Sequence, residues 1–228
     1  ILVLTNSLTG SAFGVYVFVT TLVSVIGTFA QLGTRQSLMK LIPVYDADKR
    51  NSIFGLAMAT VIAGTVVAAI AVSVAAPALT SYAGGSDLLV QAVRLFAVVM
   101  VFETLRRTLT GSFLALERPR YGITIDRIAY PVLRFAAIVV VVLLGGSLLG
   151  VAKGILLAAT LAMSATAILL VAKTNLRPAK KYLRDVAKDY YGFAGPIMIR
   201  QIGMTMYTRS DIILLGFLAT NTSVAVYK

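Results

Sequence analysis

The three longest stretches of the chain without a charged residue are 1–34, 51–86 and 154–172. Each is long enough to cross hydrocarbon as an α-helix, which needs about 18–20 apolar residues. Overall 58% of the residues are hydrophobic and 13% charged, against about 25% charged in an ordinary soluble domain. A water-soluble globular fold is therefore excluded. The fold class expected is all-α: a polytopic transmembrane helix bundle with one partial span at 1–8 and six complete spans near 13–32, 53–77, 88–113, 127–145, 150–172 and 192–218. Residues 51–86 are long enough for two spans, but with no central turn signal they read as one long helix.

The charges are placed as a membrane topology requires. Basic residues near span ends stay on the cytoplasmic side. They gather in every second loop: Arg35, Lys40, Lys49 and Arg50 in 33–51; Arg118, Arg120 and Arg127 in 116–127; and Lys173, Arg177, Lys180, Lys181, Arg184 and Lys188 in 173–190. The alternate loops contain only Lys153. This register predicts a multi-pass cell (plasma) membrane protein with those three loops in the cytoplasm. It also assigns most of the +12 net charge to topology, so nucleic acid is not an expected partner and membrane lipid is. In the last loop, Ala179, Tyr182, Leu183, Val186, Ala187 and Tyr190 recur at helical spacing opposite the basic side chains. A helix starting at Pro178 and lying in the headgroup layer is the expectation.

The chain has no Cys and no His, which removes thiolate zinc sites, disulfides and the commonest general base. No metal or cofactor is expected. The only close carboxylate pairs are Asp46/Asp48 and Asp185/Asp189, both in short basic loops. They read as solvated charge rather than the machinery of a membrane glycosyltransferase, so the chain is not expected to be an enzyme.

Charges that fall inside spans need another account, because an Arg or Asp at a helix centre opposes insertion by about 2.5–3.5 kcal/mol. They are Arg94, Glu103, Arg106 and Arg107 in the fourth span, Arg134 in the fifth, and Arg200, Arg209 and Asp211 in the seventh. Glu103 stands three and four residues before Arg106 and Arg107, so these three can pair within one helix. Arg200, Met204, Tyr207 and Asp211 form one helical stripe, with Arg209 on the opposite side. Since six of the eight charges are Arg, the interior is net positive and suits an anionic ligand. Arg94, Arg134, Arg200, Arg209, Asp211 and Tyr207 are the candidate substrate contacts, with Glu103, Arg106 and Arg107 for coupling or charge pairing.

The two ends of the chain resemble each other. At an offset of 211 residues, Ile1-Leu2-Val3-Leu4 aligns with Ile212-Ile213-Leu214-Leu215, and Ala12-Phe13-Gly14-Val15-Tyr16 with Ser223-Val224-Ala225-Val226-Tyr227. Weak similarity at long period is typical of transporters built from two related halves.

Four segments carry a family resemblance: Phe13-Gly14-Val15-Tyr16, Gln31-Leu32-Gly33-Thr34 through Leu41-Ile42-Pro43, Gly111-Ser112-Phe113-Leu114-Ala115-Leu116-Glu117-Arg118, and Gly195-Pro196 through Arg209-Ser210-Asp211-Ile212-Ile213-Leu214-Leu215-Gly216. Together they resemble the polysaccharide flippases of the multidrug, oligosaccharidyl-lipid and polysaccharide exporter superfamily. The resemblance implies two six-helix lobes around a cavity that opens alternately to either side. Residues 1–172 would be most of the first lobe, 173–190 a cytoplasmic amphipathic linker helix, and 191–228 the first span of the second lobe and the start of the next. It further implies a lipid-linked oligosaccharide substrate, a missing C-terminal lobe of the same protein, and glycan polymerase or ligase proteins as partners. Arg134 matches a basic position of the family's fifth span. The alternative within the superfamily is a cation-coupled multidrug antiporter, for which Glu103 and Asp211 would have to serve as titrating carboxylates.

Overall fold

The computed structural model describes residues 10–81 and 87–218, with side chains at 13–81, 87–205, 207 and 208. The described residues are mostly helical, with no strand among them. In chain order they form α1 (Gly10–Ala30), α2 (Thr34–Leu41), α3 (Ala47–Ser81), α4 (Asp87–Ala115), α5 (Pro119–Thr124), a π-helical turn (Ile125–Ala129), α6 (Tyr130–Leu143), α7 (Leu148–Lys173) and α8 (Leu183–Leu218).

Four of these, α1, α3, α4 and α7, have the length and apolar composition of membrane spans. The chain is thus a membrane protein that is all-α among its described residues, and residues 51–81 form one helix as their lack of a turn signal implied. The expected fifth and seventh spans are helical but do not reach that standard. α6 alone has 14 residues, while α8 carries Arg200 and further charges along its length. The partial span at 1–8 lies outside the described residues, as do the end segments of the internal repeat at 1–9 and 219–228.

α4 is the central helix, packing on α1, α2, α3, α5 and α7. Its apolar contacts fall into two clusters. One joins Phe18, Val93, Phe96, Val151 and Ile155 toward the sparsely charged end of the bundle; the other joins Leu38, Ile42, Phe54, Phe113 and Tyr190 toward the end bearing the basic loops. Between them α4 buries a polar run, Thr104, Arg106, Thr108, Thr110 and Ser112. Thr108 and Ser112 donate to carbonyls one turn back, at 3.0 and 3.2 Å, which satisfies them without a partner helix.

Two chain reversals follow from local chemistry. α4 ends on Glu117 at φ 57°, with Arg118 N–H donating to the Phe113 carbonyl and Glu117 N–H to that of Leu114, a Schellman closure followed by Pro119. α6 ends the same way on Gly145 at φ 71°. Pro119 then starts a helix that continues without a break through the π turn into α6. Residues 119–126, expected in a cytoplasmic loop, are therefore the first turns of the fifth helix.

The linker also differs from expectation. Its helix begins at Leu183 rather than Pro178, because the backbone before it is bonded elsewhere. Arg177 N–H donates to Asn51 Oδ1 at 3.0 Å, Ala179 N–H to the Asn51 carbonyl at 3.1 Å and Tyr182 N–H to Ser52 Oγ at 3.2 Å. From Leu183 the helix runs unbroken through Pro196. Its apolar stripe does not face the headgroup layer: Val186, Tyr190 and Ala194 are buried against the apolar cluster of α2 and α3. The Tyr190 hydroxyl meets Thr34 Oγ1 at 2.8 Å. Protein rather than lipid satisfies the amphipathic pattern.

Candidate functional site

The polar layer of α4 opens on one side into a cavity of about 290 Å³ between α1, α4 and α6. Tyr16, Thr20, Ser24 and Gly27 line it from α1, Met100, Glu103, Thr104 and Arg107 from α4, and Arg134 from α6. Its walls combine an aromatic side, with Tyr16 edge-on to Phe96 at 5.9 Å, and a charged side.

The charged side is built around Glu103. Its Oε1 accepts a hydrogen bond from the Tyr130 hydroxyl and lies 3.4 Å from Arg134 Nη1. Its Oε2 lies 3.5 Å from Arg107 Nη2 one turn along α4. Arg134 uses its other arm to donate to the Tyr16 hydroxyl at 3.1 Å. One carboxylate thus fixes two arginines and one phenol, and the guanidinium fork ties α6 to α1 as well as to α4.

A second centre lies nearer the basic loops. Asp126, in the π turn, accepts from Arg106 on Oδ1. On Oδ2 it accepts from Thr110 at 2.9 Å and faces Arg35 Nη2 at 3.5 Å. The Arg106 side chain is 4% exposed, and its guanidinium sits 4.0 Å over the Tyr130 ring. Tyr130 is a partition between the two centres, giving its face to Arg106 and its hydroxyl to Glu103. Two glycines make the approach possible. A Cβ on Gly111 would lie 2.7 Å from Arg35 Cγ, and one on Gly122 would lie 2.8 Å from the Thr110 carbonyl oxygen. Without them Arg35 could not cross α4 and the fifth helix could not close on it.

The structure brings together Glu103, Arg107 and Arg134 at one cavity. It places Arg106 beside them but pairs it with Asp126 instead of Glu103, because the π turn carries an acidic side chain to within reach and Arg106 is turned away from the cavity. Arg94 is elsewhere: it is exposed, and its Nε donates to the Ser73 carbonyl at 3.3 Å. Arg200, Met204 and Tyr207 share an exposed stripe of α8 away from the cavity lining. The side chains of Arg209 and Asp211 lie outside the described residues. Sequence reasoning missed Asp126 and Tyr130 altogether and quoted Tyr16 only as part of a motif. The signal available was the spacing Asp126, Tyr130, Arg134, four residues apart each time and hence one face of a helix. Reading 116–127 as a loop concealed it.

No ion-binding cluster of His, Cys, Asp or Glu occurs among the described residues. What the arrangement does chemically is present arginine donors to an open, concave surface at the height of the polar layer. Such donors match phosphate oxygens in geometry and charge. No curated protein and no solved structure matches the chain. The family model for polysaccharide biosynthesis proteins does match it, over residues 1–228, and the chain belongs to that family.

Proposed function

We propose that the chain forms part of a flippase that carries an oligosaccharide on a polyprenyl phosphate or pyrophosphate across the plasma membrane, by alternating access through the cavity between α1, α4 and α6. One observation supports this reading above the others. Five arginines, Arg35, Arg106, Arg107, Arg127 and Arg134, surround this layer with only two carboxylates, Glu103 and Asp126, among the described residues facing them. A charge excess of this kind inside a helical bundle is costly unless an anion shares it. In this reading the sugar head group occupies the wet cavity, Arg134 and Arg107 hold the phosphate, and the lipid tail remains in the bilayer. The basic loops lie in the cytoplasm. A second lobe of the same protein closes the cavity from its open side. Glycan polymerase or ligase proteins act on the delivered product.

The cation-coupled antiporter has no comparable support. Such a mechanism needs a carboxylate free to exchange a proton, whereas both oxygens of Glu103 are already engaged, by Tyr130 and Arg134 on one and Arg107 on the other, and the matched family is one of polysaccharide biosynthesis. The deciding experiment is a flipping assay with full-length protein in proteoliposomes, using a fluorescent lipid-linked oligosaccharide. Arg134→Ala removes charge-assisted bonds of about 1.5–3 kcal/mol and should slow flipping about tenfold to a hundredfold while inserting normally. Unchanged flipping in an Arg107→Ala, Arg134→Ala double variant would sink the proposal.

A further inference from the structure

The cavity accounts for Arg134 and Arg107 but not for the positive charge around Asp126. Arg106 fills Asp126 Oδ1 and is pinned from its other side by the Tyr130 ring. Its Nε is buried with no hydrogen-bond partner. Arg35 reaches the same carboxylate only at 3.5 Å, long beside the 2.7–2.9 Å of a good charge-assisted bond. Arg107 holds Glu103 at the same length. These two side chains are 29% and 44% exposed, and Arg35 lies within electrostatic range of Arg106, Arg107 and Arg127. The cluster therefore has more donors than acceptors, one donor fully buried and idle, and two arginines held loosely enough to turn.

Resting on the flippase reading for the identity of the ligand, we infer that Arg35 and Arg107, backed by Arg106, form a second anion site at the basic-loop end of α4, which takes the phosphate of the substrate before it reaches the cavity. Asp126 is its placeholder. In the empty state the carboxylate keeps Arg35 and Arg106 from repelling each other; an arriving phosphate competes with it for Arg35. Arg107 belongs to both sites, since it lines the cavity and also lies beside Arg35. A phosphate can thus pass from Arg35 to Arg134 without ever losing an arginine. Gly111 is part of the device, because it gives Arg35 a path across α4.

The test uses full-length protein in nanodiscs of uncharged lipid, with inorganic pyrophosphate and a short-chain polyprenyl pyrophosphate as probes in titration calorimetry. Arg35→Gln should weaken both probes about tenfold, the loss of one charge-assisted contact. Asp126→Asn should tighten both, because it removes a competing negative charge while keeping an acceptor for Arg106. Asp126→Asn affinities equal to or weaker than wild type, in protein whose melting temperature is within a few degrees of wild type, would make Asp126 a structural ion pair and overturn the inference. If Asp126→Asn does not fold, Arg35→Gln alone decides, and unchanged affinity for both probes overturns it. Equal competition by phosphatidylglycerol added to the nanodisc would reassign the site to bilayer lipid and likewise overturn it. The two proposals fail separately. Flipping that depends on Arg134 with pyrophosphate binding indifferent to Arg35 refutes only the second site. Arg35-dependent pyrophosphate binding without any flipping refutes the flippase and leaves the site standing.

Discussion

Glu103 and Asp126 are two carboxylates in one polar layer, each facing two arginines and one hydroxyl, yet they sit in different environments. Around Glu103 both arginines are partly exposed and border a cavity. Around Asp126 one arginine, Arg106, is almost wholly buried, and two glycines let the helices close over the pair. The same functional groups therefore do different work. A buried pair is expensive to break, because the survivor is left charged in a poor solvent; a wet pair is cheap to break, because water replaces the partner. The difference teaches that the Asp126 centre holds the helices and keeps Arg35 in reserve, whereas the Glu103 centre keeps its arginines ready to change partners.

The sharpest way to break this comparison is to truncate one arginine from each centre. Arg106→Ala should lower stability by about 3–5 kcal/mol by stranding Asp126, whereas Arg107→Ala should cost less than about 1 kcal/mol. Thermal unfolding in detergent measures both, and equal losses would erase the distinction. Next in size, Gly122→Ala drives a methyl against the Thr110 carbonyl oxygen and should cost about 1–3 kcal/mol by overpacking. Gly192→Ala, with nothing within 4 Å of its added Cβ, serves as the control and should be neutral or mildly stabilising. Tyr130→Phe isolates the partition: it keeps the ring under Arg106 and deletes only the hydroxyl to Glu103. A loss of about 1 kcal/mol is expected, and a loss as large as that of Arg106→Ala would mean that the two centres act as one. The smallest effect should come from Asp48→Ala, which breaks an exposed contact of 3.4 Å to Lys181 and should leave the unfolding curve where it was.

The sequence was legible where a single physical preference decides the outcome. Charge-free length revealed the apolar helices, and the lack of a turn signal in 51–81 correctly implied one helix. Legibility failed where tertiary contacts override the local pattern. Pro178 is a good helix start, but Asn51 and Ser52 claim the neighbouring backbone donors and delay the helix to Leu183. The stripe of Val186 and Tyr190 says only that one face is apolar, and nothing in it distinguishes lipid from the packed surface of α2 and α3. At the candidate site, Glu103 and Arg107 were readable because they lie one turn apart on one helix. The pairing of Arg106 with Asp126 was not, since it joins positions 20 residues apart across a chain reversal and depends on a widened turn that no local periodicity announces.

That widened turn has a consequence for chain length as distinct from residue identity. A π turn holds one more residue than the α-helical turn it replaces. Removing one of the residues 127–129 would let the turn close to a regular α-helical one, and because the turn itself absorbs the extra residue, the helix on either side would keep its register. Asp126 would stay on the face of Tyr130, three residues away instead of four, and only the reach that the wider turn gives it toward Arg106 would change. The π turn therefore works as an expansion joint in the fifth helix: a one-residue deletion is absorbed there, whereas the same deletion in the regular turns between Tyr130 and Arg134 would turn one charged end against the other by about 100°.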